Sequence, residues 1–345
     1  MADVAGELYF LGEVDPLTGE PSPFVKIGLV REHEDRGTAQ RLKEHQTGNP
    51  RQIAELHVVG TPRVETVETT MHGLYAPHRV GGEWFRLEGG LLDDAVQRAR
   101  TLANDLTTVV PILDEAVELS RALSAGPKVA STPELDELVR HLAAAKLIKQ
   151  LIGTAEKVVG RTLDELGSRR GGLDRFVTVQ EKQGKAKLDE DRLAADHPEL
   201  HARFLVTTQK LVQRFTPVTA KKLGIDVAHL PGDVTELVNE IGSTAERVSA
   251  DREDPTTLHR LYLSVLQVVA PVKLDLAVLE ARLKVACGTA PGVEDVCTWN
   301  RVMADSTTFD RKAFEDEYPE LSTAYQTAES TQRSIVVARD LGYRL

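Results

Sequence analysis

Sliding the chain past itself by 121 residues lays Gly171, Asp174, Asp189, Pro198, Glu199 and Leu200 onto Gly292, Asp295, Asp310, Pro319, Glu320 and Leu321. Leu193, His197 and Phe204 meet Phe314, Tyr318 and Tyr325 in the same alignment. A repeat of this kind restricts the fold more than any composition value, because whatever one copy forms the other must form too. Each copy follows a long helical run. The reading is therefore two units, residues 129–217 and 253–345, each with a helix, a short extended excursion around Phe176 or Trp299, and a helix opened by Pro-Glu-Leu. Proline suits a first turn that needs no amide donor, and the glutamate behind it meets the exposed amides there. Duplicated packing units are the plainest account; a nucleic-acid or partner surface is the other.

Residues 1–90 have a different texture. Leu8 to Leu11 and Phe24 to Val30 read as strands joined across the turn residues Pro16 to Pro23. Thr38 reads as the cap of a helix that carries Leu42 and is stopped by Gly48-Asn49-Pro50. Ile53 to Val59 gives a third strand. Thr61-Pro62 opens a second helix through Val64, Val67, Met71 and Leu74, and Gly81-Gly82 turns into Trp84-Phe85, which read as core anchors. From Leu91 on, helical spacing dominates: Leu91–Leu123, Pro133–Leu166, Leu200–Phe215, Val234–Val248 and Thr256–Val285. The expected architecture is an α/β N-terminal domain over 1–90, a small mainly antiparallel sheet with flanking helices, followed by a mainly α repeated region. Within that region 91–128 is a helical connector and 218–252 a helical linker.

Composition narrows the function. Hydrophobic residues at 41% and charged residues at 28% fit a folded globular chain. The richest apolar run, Leu261 to Val272, is broken by Ser264 and Gln267, so no membrane span is expected. Asp3 and Glu7 argue against a secretory leader, and Cys287 and Cys297 alone support neither a disulfide framework nor a structural zinc site, so a cytoplasmic location is expected. The net charge is −11, so nucleic-acid contact must be local.

Arg41 and His45 lie four apart on the first short helix, and Glu68 and His72 repeat that spacing on the second. Tyr9 and Lys26 sit on the two strands of the hairpin. A tyrosine, a lysine, an arginine, histidines and a carboxylate in one small module fit phosphodiester hydrolysis. That chemistry needs a proton acceptor for water, cations for the phosphate and a carboxylate to anchor Mg²⁺.

Gly6-Glu7-Leu8-Tyr9-Phe10, Phe24-Val25-Lys26-Ile27-Gly28, Arg41 to His45 with Gly48-Asn49-Pro50, Glu68 to His72 and Gly82-Glu83-Trp84-Phe85 occur in the order seen in GIY-YIG nucleases. The chain resembles that superfamily over residues 6–90, in particular its phage-associated subgroup with Lys-Ile-Gly as second motif and Gly-Glu-Trp-Phe as last. The resemblance implies that Tyr9 positions or deprotonates the attacking water, Arg41 steadies the scissile phosphate, His45 assists on the same helix, and Glu68 binds Mg²⁺ or Mn²⁺. Lys26 stands where the second tyrosine would be, and an ammonium is a poor base. The base is then Tyr9, a histidine or metal-bound water. His72 and Glu83 are secondary candidates. Glu65 competes with Glu68 for the metal, and Glu68 is preferred for its spacing to His72.

Residues Leu279 to Arg333 resemble the short accessory tail found beside viral YqaJ-type recombination exonucleases, which assigns no catalytic residue. The resulting expectation is a metal-dependent DNA endonuclease whose helical region selects the target, dimerises or restrains the nuclease, in a setting such as phage defence. Residues 1–90 carry nine basic and fourteen acidic side chains, so DNA affinity should come from the helical part, a homodimer through it, or a protein partner. The alternative is a non-catalytic DNA-binding or scaffolding protein on a nuclease fold.

Overall fold

A computed structural model describes residues 3–32, 37–47, 51–170, 173, 176–184, 186–327 and 331–342. The expected helix stop at Gly48-Asn49-Pro50 and the repeat positions Gly171 and Asp174 lie outside the described residues.

The chain opens with β1 (Gly6–Val14), β2 (Pro21–Arg31), α1 (Thr38–Gln46), β3 (Gln52–Thr61), α2 (Val64–Leu74), β4 (Arg79–Gly81) and β5 (Trp84–Arg86). The strands form one antiparallel sheet in the order β3-β1-β2-β5-β4. Leu8-Tyr9-Phe10-Leu11 is an unbroken buried run because β1 is central and covered on both faces. On one face Leu8, Phe10, Ile27 and Phe85 pack with Val67 and Met71 of α2 and with Ala95 and Ala99 of α3 (Leu91–Ser120). On the other, Tyr9, Leu11, Val30 and Ile53 meet Leu42 of α1. Phe85 is a core anchor, but Trp84, facing the opposite way on the short edge of the sheet, is only half-buried. Thr38 does not cap α1: it is the first helical residue, and its hydroxyl donates to Glu7 Oε2 at 2.8 Å.

The remainder is mostly helical. It runs through α4 (Pro133–Arg170), β6 (Val177–Gln183), α5 (Glu190–Asp196), α6 (Pro198–Arg203), β7 (Leu205–Pro217), α7 (Gly232–Ser249), α8 (Pro255–Cys287), β8 (Gly292–Val293), β9 (Cys297–Phe309), α9 (Arg311–Glu317), α10 (Pro319–Ala324) and β10 (Thr331–Val337). The helix expected over Leu200–Phe215 ends after one turn at Arg203, and the rest is the strand β7. Val206, Thr207, Thr208 and Val212 favour extended backbone, and thirteen residues of β9 pair with it.

The repeat is visible as an exchange of strands. β7 of the first unit pairs with β9 of the second, and β6 of the first pairs with β10 of the second, both antiparallel. One offset relates the two ladders: the pair Gln183–Thr331, moved by the repeat length, becomes Lys210–Ala304, and Leu205–Phe309 becomes the isolated bridge Leu188–Gln326. The amide of Asp189 donates to Tyr325 O at 2.8 Å, and its counterpart Asp310 donates to Phe204 O at 2.7 Å. Both aspartates then cap the following helices, accepting from the amides of Arg192 and Ala313. Leu193, Phe204, Phe314 and Tyr325, two equivalent pairs, fill the small core between the units. α3 packs on α8 as α7 packs on α4, so the approximate two-fold also takes in the helix that precedes each long one.

α8 is the one helix among the described residues long and apolar enough to cross a membrane. In this fold it is the central helix, packed by α2, α3, α4 and α7. At its far end Arg301 is fully buried and stacks 3.8 Å from the Trp299 ring, donating to the carbonyls of Leu119, Gly288 and Ala290.

Candidate active site

The site forms where β5 stops short. β5 pairs only with Phe24 to Lys26, so the edge of β2 from Ile27 to Arg31 is left for α2 to cover. Arg31 Nε donates to Glu65 Oε1 at 2.6 Å, and His72 Nε2 donates to Ile27 O at 2.9 Å. These two bonds lay α2 along the strand edge. Glu68, between them, stands at that edge, where its charge reaches Tyr9 and Lys26 on the α1 face of the sheet.

Tyr9 projects from the middle of β1 onto that face, opposite Gly28. A Cβ on Gly28 would lie 2.5 Å from the Tyr9 hydroxyl oxygen, so the glycine is the space in which the ring lies. Burial first, then the nearby carboxylates of Glu83 and Glu68, push the phenol up to about 12, against the lowering effect of Arg41. Its hydroxyl sits 3.4 Å from His45 Nε2. Burial and the charge of Lys26 push His45 down, which keeps its imidazole neutral. The phenol is therefore the proton donor of this pair.

Lys26, almost fully buried, is bound to Glu83 Oε2 at 2.5 Å, and the register of β5 on β2 creates the pair. Burial raises the Glu83 carboxyl, but the Lys26 hydrogen bond and charge outweigh it, and the net shift is down. Arg41 is half-buried on α1 and meets Glu44 at 3.1 Å, its charge acting on Tyr9 and His45.

Glu68 is the outlier. Burial, with Glu83 adding repulsion, pushes it up to about 7 even though Arg31, Lys26 and Arg79 pull it down. Among the described residues it has no hydrogen-bond or ion-pair partner. Glu65 is the opposite case, held down to about 2 by hydrogen bonding to Asp3 and Arg31 and so already engaged. Among the described residues no group of three His, Cys, Asp or Glu side chains forms a metal cage. A single unpartnered carboxylate repelled by a second one fits Mg²⁺ or Mn²⁺ retaining most of its waters, and does not fit zinc.

Tyr9, Lys26, Arg41, His45, Glu68 and Glu83 thus share one electrostatic neighbourhood. His72 lies beside them but gives its Nε2 to the β2 backbone, with its ring 5.2 Å from Phe85. Sequence reasoning passed over Arg79, whose charge acts on both Glu68 and His72. The Gly81-Gly82 turn was the available signal, since a hairpin there returns the chain from Arg79 to Glu83.

Residues 9–100 match the T5orf172 domain, a phage-associated nuclease-like domain. No curated protein and no solved structure matches the chain. The matched stretch begins at Tyr9, contains every residue of the site and ends within α3, and the similarity to T5orf172 suggests a phage-type nuclease or DNA-binding function for this N-terminal domain.

Proposed function

We propose that the chain is a metal-dependent endonuclease of the GIY-YIG type that hydrolyses DNA phosphodiester bonds, with Tyr9, Lys26, Arg41 and His45 as its catalytic residues and Glu68 as the metal ligand. The observation that supports it most is Glu68: a half-buried carboxylate without a partner, pushed up to about 7, within electrostatic reach of a buried tyrosine and an arginine.

Arg41 holds the phosphate as charge develops on it. Tyr9, protonated at neutral pH, orients the attacking water and relays its proton to neutral His45, which narrows the open choice of base to the histidine. Their 3.4 Å separation is at the long end of hydrogen-bond reach, and the transfer calls for it to shorten as the water and phosphate are engaged. Lys26, pinned by Glu83, supplies fixed positive charge behind the phosphate and takes no proton. When bound at Glu68, Mg²⁺ or Mn²⁺ supplies neutralising charge for the phosphate oxygens. Glu83, by repulsion, and Lys26, by attraction, set how strongly Glu68 seeks a cation. One such site cuts one strand, so a double-strand break calls for two chains or two events.

Nicking of supercoiled plasmid and of phage-modified DNA with Mg²⁺ or Mn²⁺ tests the proposal. Wild type cuts, and Glu68→Ala and Arg41→Ala lose at least 100-fold, about the worth of one transition-state contact. If both variants cut at the wild-type rate, the site is wrong. DNA binding without cleavage on every substrate would favour the non-catalytic reading.

A further inference from the structure

A cleft of about 490 Å³ opens between α2 and α8, next to the candidate site. Gly73 lets the two helices meet at its floor, since a Cβ there would fall 2.5 Å from that of Ala270. One wall is apolar, formed by Leu266, Ala270 and Leu274, and Arg79, Lys273 and Arg339 line the same cleft. In a chain of net charge −11, Arg79, Lys273 and Arg339 against Asp3 and Glu65 leave this lining net positive. Among the described residues none of the three is ion-paired. The two acids of the lining are already engaged: Glu65 by Arg31, and Asp3 by the amides of Glu65 and Thr66.

The C-terminal segment fixes the arrangement. Ala338 donates its amide to Phe176 O and accepts from His259 Nε2 at 2.9 Å, while Leu341 donates to Arg79 O at 2.7 Å. Arg339 is thereby held over α8 beside Arg79, and the two cations repel, while Asp340 and Glu83 act on Arg79 in the opposite sense. Both Lys273 and Arg339 come from the helical region, which supplies the positive charge that residues 1–90 lack.

We infer that this cleft seats a nucleotide of the strand engaged at Glu68, its phosphate on Arg79, Lys273 and Arg339 and its base or sugar against the Leu266–Leu274 wall. The inference rests on the nucleic-acid substrate proposed above. A free anion would need only the cations; the apolar wall and the shared Arg79 point to a nucleotide continuous with the scissile one.

The test uses the full chain carrying Glu68→Gln, so that bound DNA stays intact, and a fluorescein-labelled single-stranded oligonucleotide titrated at several salt concentrations. Adding Lys273→Ala with Arg339→Ala weakens binding at least tenfold and lowers the slope of log affinity against log salt by about 0.7, one phosphate of a single strand. Ala277→Trp, which fills the cleft from its exposed rim and leaves every charge in place, weakens binding by a similar factor without lowering the slope. An unchanged slope in the double variant overturns the inference. So does full affinity in Ala277→Trp, which would reduce the cations to general surface charge. If the Glu68→Gln chain binds through the cleft but its parent never nicks DNA, the nuclease proposal fails and the cleft stands; if the parent nicks and the cleft variants bind normally, the cleft alone fails.

Discussion

Glu68 gives the most direct physical handle on the site, because a carboxyl pushed from 4.5 to about 7 destabilises the fold whenever it is ionised. The unfolded chain ionises this group near its ordinary value, while the folded chain resists until about neutral pH. Its contribution is therefore fully present below pH 4.5, lost progressively as pH rises to about 7, and absent above. A shift of that size corresponds to about 3 kcal/mol at most, and the partly solvated position brings it to about 1–2 kcal/mol. Glu68→Gln keeps the shape and removes the charge. Without divalent ions, the variant should be more stable than wild type by about 1–2 kcal/mol at pH 8 and close to equal to it at pH 4, as read from urea unfolding of both proteins at each pH. Comparing the two chains cancels every other titrating group. Adding Mg²⁺ at pH 8 should close the gap from the wild-type side, since the ion binds the ionised folded form. A difference that does not change between pH 4 and pH 8 would refute the reasoning, because it would mean that the carboxylate is solvated like any surface acid.

Three further outcomes follow from the structure. Gly28→Ala drives a methyl into the Tyr9 ring; it should cost about 1–3 kcal/mol and slow nicking at least tenfold, whereas unchanged unfolding and nicking would mean that the ring does not lie over Gly28. Arg301→Ala removes a fully buried guanidinium that donates to the carbonyls of Leu119, Gly288 and Ala290 and should cost about 3–5 kcal/mol in chemical denaturation; a loss below about 1 kcal/mol would show that water replaces the guanidinium. Asp189→Ala and Asp310→Ala remove equivalent caps and should each cost about 1 kcal/mol; clearly unequal losses would break the equivalence of the two units.

The sheet was legible because its strands are short apolar runs bounded by turn residues, and α8 because its spacing is regular over many turns. β7 was not legible. Leu200 and Phe204 begin a helical pattern that one turn of α6 satisfies, and what keeps the next thirteen residues extended is β9, almost a hundred positions away, where local spacing carries no information. Thr38 was misread for a related reason: its hydroxyl found Glu7 across the sheet in place of its own helix amides. At the site, order and spacing pointed to Tyr9, Arg41, His45 and Glu68. The Lys26–Glu83 pair and the part played by Arg79 depend on the register of β5 against β2, which a list of motifs does not specify.

The exchange of β7 and β10 between the two units bears on how the molecule is made. During synthesis the first unit leaves the ribosome with β6 and β7 both lacking their mates, and neither ladder can close until the last strands have been translated. A fragment halted before β9 would carry two raw β edges and half of an aromatic plug, and a second fragment could satisfy both. Such a half-protein is expected to pair with itself, reproducing between two molecules the arrangement that the intact chain completes alone.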